Sequence, residues 1–90
     1  MELTALPGGE LVEAGMDDLI SGIDSEAALV VAIGAPRLRS LGFAVPDSIP
    51  DPELRLYELL SRADPDSAHS RYNALVRRLV SFERAAACVS

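Results

Sequence analysis

The sequence predicts an all-α, compact bundle of about four helices with no sheet, over roughly residues 10–22, 25–34 with a short 36–41 extension, 52–62 and 65–88. Three observations predict it. Apolar residues recur at alternating three- and four-residue spacings, the period of a helix with one buried face. Two segments, Asp51-Pro52-Glu53 and Asp64-Pro65-Asp66, repeat the same helix-start grammar: Asp at the N-cap, Pro at the first helical position, then an acid. No stretch alternates apolar and polar residues for long enough to make a strand.

Residues 1–9 end in Pro7-Gly8-Gly9 and read as a leader that the pattern leaves free to be disordered; the whole chain, 1–90, is one helical domain. From Glu10 to about Gly22, Val12, Met16, Leu19 and Ile23 recur at spacings of 4, 3 and 4, with Leu11 and Ile20 broadening the stripe. Glu10, Glu13 and Asp17 occupy the other side. Glu13 and Asp17 stand four apart with no base nearby, a repulsion of a few tenths of a kcal/mol unless a positive group faces them. Gly22 is the expected stop, and Gly15 in the interior marks a close helix approach.

Asp24 or Ser25 caps the second helix, with Glu26 favourably placed in its first turn. Ala27 to Ile33 is apolar around the whole circumference, which requires burial on more than one side. Gly34-Ala35-Pro36 is expected to break this helix, because Pro restricts the preceding residue and Gly ends helices. A short helix with Arg37, Leu38, Arg39 and Leu41 would follow, closed by Gly42. Phe43 to Pro50 reads as an extended connector anchored by Phe43, Val45 and Ile49.

The third helix is supported by the Asp51–Arg55 and Glu58–Arg62 spacings and offers Leu56, Tyr57, Leu59 and Leu60. The fourth carries the clearest pattern. Ala68, Tyr72, Leu75, Leu79, Phe82, Ala86 and Val89 run at spacings of 4, 3, 4, 3, 4 and 3, a heptad-like seam. It is about 33–35 Å long against roughly 20 Å for the first helix, so it overhangs the bundle.

Apolar residues make up 49% of the chain but aromatics only 4%, with no Trp, so the core is aliphatic. A chain of ninety residues buries roughly 60–65% of the surface its unfolded form exposes, so its stability is modest and a partner would add appreciably to it. The net charge of −6 disfavours non-specific attraction to phosphates or anionic lipid. The lone Cys88 forms no internal disulfide, and the amino terminus lacks the basic and apolar regions of a signal peptide, which points to a reducing cytoplasm. The nearly uncharged stretch Ala27 to Pro36 is about half the ~20 residues a membrane span needs.

The charge is strongly polarised. The first 36 residues carry seven acids and no base, whereas Ser67 to Ser90 carry four arginines against the single acid Glu83. All eight basic residues are Arg, which genomic base composition explains better than selection for bidentate pairing at interfaces. Arg71 and Arg78 flank the seam of the fourth helix; Arg77 and Arg84 lie further round. These arginines form a solvated face, neutralise the acids of the first helix inside the bundle, or rim an interface centred on Tyr72, Leu75, Val76, Leu79 and Phe82; the first two together fit slightly better than the third.

Catalytic chemistry has little support. His69 and Cys88 lie on one helix about 28 Å apart by its rise, too far for a nucleophile–base pair. Metal-ligand spacings and glycine-rich phosphate loops are absent, so no metal or cofactor is expected. A helix-turn-helix over Leu29 to Leu41, with Arg37 and Arg39 entering a groove and the fourth helix assisting, is the nucleic-acid alternative. Bulky Val30 stands where that motif wants a small residue, and seven upstream acids oppose DNA.

Gly22-Ile23-Asp24-Ser25 resembles the stretch of carrier proteins whose serine takes a phosphopantetheine arm, and those domains are also small acidic helical bundles. The resemblance implies Ser25 as the modified residue. It covers four residues and departs at Glu26, where carriers have Leu, and in the short segment before Ser25.

The reading that best fits the residues is a non-catalytic protein-interaction module of the inhibitor, antitoxin or adaptor kind. It would dock on a basic partner surface through Glu10, Glu13, Asp17 and Asp18, steered electrostatically and finished by aliphatic burial. The alternative is a homo-oligomer paired through Tyr72, Leu75, Leu79 and Phe82 with Arg71 and Arg78 on the rim.

Overall fold

After a turn of 3-10 helix, Leu3–Ala5, the chain forms α1 (Gly9–Ile20), α2 (Glu26–Ser40), α3 (Pro52–Ala63) and α4 (Ala68–Val89). The computed structural model describes residues 3–46 and 49–89, and no strand occurs among them. Met1 and Glu2 of the leader, and Asp47 and Ser48 of the connector, lie outside the described residues. Within the leader, Leu3 and Leu6 are half-buried and pack on the core.

The apolar circumference of α2 makes it the central helix. Ala28, Leu29, Val30, Val31, Ala32, Ala35 and Leu38 are all buried, and α2 touches α1, α3 and α4 while the backbones of α1 and α3 do not approach each other. Its start is capped as expected: the Ser25 Oγ accepts from the Ala28 N–H at 3.1 Å. The break expected at Gly34-Ala35-Pro36 is absent, and Pro36 sits inside one continuous helix. Pro36 is exposed, so its missing N–H and ring fall on the solvent side. Continuing the helix places Ala35 and Leu38 in the core, each fully buried. Burial of Leu38 alone contributes about 1.5–3 kcal/mol, which offsets much of the ~3 kcal/mol that an interior proline costs.

Helix α1 packs chiefly on α2 through Leu11, Val12 and Gly15. At Gly15 the two backbones come so close that a β-carbon there would lie 2.3 Å from the Ala27 carbonyl oxygen and 2.4 Å from the Val31 Cγ2. Ile20 and Ile23, expected in the buried stripe, are 70% and 53% exposed. The face that α1 buries is centred on Gly15, and Ile20 falls seven residues beyond Glu13, on the acidic side of the helix.

From α3, Leu56 and Leu60 enter the core; from α4, Ala68, Leu79, Phe82 and Ala86 do. The Phe43 ring from the connector meets Phe82 at 5.5 Å between centroids. Both Asp-Pro helix starts differ in detail from the expected caps. Asp51 holds a left-handed backbone, φ 50°, with no side-chain cap bond, and its carbonyl accepts from the Arg55 N–H at 3.1 Å. The Asp64 carboxylate is taken up locally by the Asp66 N–H at 3.2 Å and the Ser67 hydroxyl at 2.9 Å. That side-chain turn competes with the helix, so α4 begins at Ala68 rather than Pro65, its first bond running from the Arg71 N–H to the Ser67 carbonyl.

Candidate functional site

Because Leu11, Val12 and Gly15 fix which face of α1 meets α2, Glu10, Glu13 and Asp17 are turned to solvent, and all three are exposed. Ala14 and Ile20 share that outer surface. Among the described residues none of these three acids makes an ion pair. The ion pairs lie elsewhere: Asp24 with Arg55 at 2.6 Å, tying the α1–α2 loop to α3, and Glu26 with Arg71 at 3.1 Å, tying the start of α2 to α4. Both are partly exposed, 37–48% by side chain, so each contributes about 0–1 kcal/mol. The polarity of the sequence is thus answered internally at Asp24 and Glu26 and left open along α1.

Asp18 does not join the row. Its Oδ2 accepts from the Ser25 hydroxyl at 2.5 Å, so Ser25 donates to α1 while capping α2 and closes the loop between them.

Of the fourth-helix residues, Leu79 and Phe82 are buried at 3% and 0% exposure, packed within the chain's own core. Tyr72 and Leu75 are half-buried. The Tyr72 ring meets Tyr57 edge-on at 6.0 Å, and burial, with Glu53 nearby, holds its phenol above the ordinary 10.0. The seam that sequence spacing offers to a partner is largely the intramolecular contact with α2 and α3. Arg71 is engaged with Glu26. Arg77, Arg78 and Arg84 are exposed and make no ion pair among the described residues. Arg78, with Thr4, Leu6, Gly8, Gly9 and Glu10, lines a shallow depression of about 160 Å³ at the start of α1.

No turn separates Arg37 and Arg39 from the body of α2; both stand in its last turn. The Arg39 guanidinium is occupied, donating to the Pro46 carbonyl at 2.7 Å and the Val45 carbonyl at 3.3 Å. Arg37 is exposed and its charge acts on Glu83, whose carboxyl burial pushes above the ordinary 4.5 while Arg37 pulls it down. His69 lies 3.2 Å from the Asn73 amide nitrogen on the exposed side of α4, and Cys88 is an exposed free thiol. Among the described residues no three His, Cys, Asp or Glu side chains converge as a metal set, and no helix is long and apolar enough to cross a membrane.

Compared with protein-family models, curated proteins and solved structures, the chain matches none of them.

Ile20 and Ile23 are exposed although apolar spacing alone places them in the buried stripe. The signal was present in the heptad interval from Glu13 to Ile20, but the apolar character of Ile20 outweighed its position. The alignment of two exposed arginines, Arg77 and Arg84, directly opposite the buried seam is equally a matter of position.

Proposed function

We propose that this chain is a non-catalytic protein-interaction module, acting in a reducing cytoplasm, that docks on a partner through the outer face of α1. One observation carries the reading: Glu10, Glu13 and Asp17 stand exposed on one face and, among the described residues, have no basic side chain paired to them, the ion pairs there forming at Asp24 and Glu26. An unpaired like-charge row costs a little in the free chain and gains when a basic surface meets it, steering association before short-range contact. Ile20, 70% exposed one turn past Asp17, supplies apolar area that such a contact removes from water. Inhibitors, antitoxins and adaptors of this size and acidity offer an analogy, one of type only.

The test uses a partner captured from the native host. Reversing Glu13 and Asp17 to Arg should slow association roughly tenfold and flatten its salt dependence. An association rate unchanged by that double reversal would overturn the reading.

A further inference from the structure

We infer that a second copy of this chain covers the outer face of α1 with the outer face of its own α4. The inference rests on reading α1 as a docking surface and names its occupant. The face of α4 opposite the buried seam exposes Arg77, Ser81, Arg84 and Cys88. On the solvent side of α1 and its C-cap, Glu10, Ala14, Asp17 and Ser21 are all exposed. In each set the second, third and fourth residues follow the first by 4, 7 and 11 positions. Charged residues at the first and third positions are therefore about 10.5 Å apart on both helices, acids on one and arginines on the other. Small residues, Ala14 and Ser81, lie between the charges, which lets two helix backbones approach to about 8–10 Å. Long arginine side chains then reach across to the carboxylates with bidentate geometry.

Among the described residues neither row is ion-paired: the pairs there are Asp24–Arg55 and Glu26–Arg71. Each copy offers both faces, so the contact is head-to-tail: it closes in a two-fold dimer where both faces lie on one side of the molecule and propagates to larger assemblies where they do not. The net charge of −6 opposes the approach, but the two contacting helices nearly balance, α1 and α4 together carrying five acids against four arginines, so the excess lies on other segments. At about 0.1 M salt the screening length is about 10 Å, so remote repulsion fades while the matched pairs persist. This face is distinct from the heptad seam of the same helix, which the core already covers.

Sedimentation velocity on the full chain, up to about 1 mM, tests the pairing at about 0.1 M and about 0.5 M salt. The expected result is concentration-dependent self-association that weakens at the higher salt. E10R/D17R and R77E/R84E should each raise the dissociation constant at least roughly tenfold, and an equimolar mixture of the two variants should associate again. All four positions are exposed, and circular dichroism confirms that each variant folds. If E10R/D17R abolishes association and R77E/R84E leaves it intact, α1 docks but α4 is not its occupant, and the inference fails. A wild type that stays monomeric throughout also overturns it, while the docking reading keeps its own test against a captured partner.

Discussion

Gly15 of α1 lies against the Ala27 carbonyl of α2, with room for a hydrogen and not for a methyl: a β-carbon there would sit 2.3 Å from that oxygen. Gly34, where α2 meets α4, looks similar but differs in kind. Its added β-carbon would come within 2.8 Å of a Leu79 methyl and 3.1 Å of a Glu83 carboxylate oxygen, both at the ends of side chains that can rotate. Gly→Ala inside a helix gains up to about 1 kcal/mol in propensity, whereas overpacking costs about 1–3 kcal/mol. Gly15→Ala should therefore destabilise the fold by about 1–2 kcal/mol, while Gly34→Ala should change it by less than about 1 kcal/mol. Urea unfolding midpoints of the two variants check the contrast.

Ser25 holds two helices at once, accepting from the Ala28 N–H and donating to Asp18. Ser25→Ala removes both bonds. The lost cap alone costs about 0.5–2 kcal/mol, and the expected total is about 1–2 kcal/mol by denaturant unfolding. Ser25→Asn, which retains a capping oxygen, should recover at least half of it.

Glu83 gives a pH signature. Burial holds its carboxyl above the ordinary 4.5, partly opposed by Arg37. A raised folded-state value means that the fold favours the protonated form. The associated stability is fully present below pH 4.5 and is lost as the pH rises through the folded value. Glu83→Gln keeps a neutral group of the same shape and avoids that loss. The variant should match the wild type in acid and become more stable than it towards neutral pH. Unfolding midpoints measured across the pH range would show the two proteins coinciding in acid and diverging above it, and a parallel offset at every pH would exclude this origin.

Leu79 is 3% exposed, so Leu79→Arg places an uncompensated charge in the core. The chain should unfold, losing its helical circular dichroism at every concentration. A folded monomer released by the same substitution would mean that the seam belongs between copies. Phe82→Ala, a truncation at a fully buried ring, should cost about 3–5 kcal/mol.

The helices were legible because each announces itself locally. The heptad run of α4 and the all-round apolarity of Ala27 to Ile33 leave little choice of period or burial. What sequence could not reveal was decided by energies of comparable size acting at a distance. Pro36 breaks a helix in isolation, yet burial of Ala35 and Leu38 carries α2 through it. Asp64 has the chemistry of a cap but bonds to Asp66 and Ser67 first. The acids Asp24 and Glu26 find arginines 31 and 45 residues away, separations for which no periodicity argument exists. For the same reason Glu10, Glu13 and Asp17 could be named as a row, but whether anything in the chain answers them depended on which side of α1 faces α2.

The placement of α2 also bears on how the chain reaches its native state. Three of the helix pairings join neighbours in the chain, α1 with α2, α2 with α3 and α3 with α4; only α2–α4 and α1–α4 bridge longer intervals. Most of the structure is therefore assembled by closing short loops, whose entropic cost is small. Low contact order of this kind goes with folding in microseconds to milliseconds. Newly made chains would then expose their aliphatic surface only briefly, and the α1–α2 hairpin, closed by the short loop between Ile20 and Glu26, is expected to be formed early, which φ-values near 1 at Val12 and Val31 would show and values near 0 would refute.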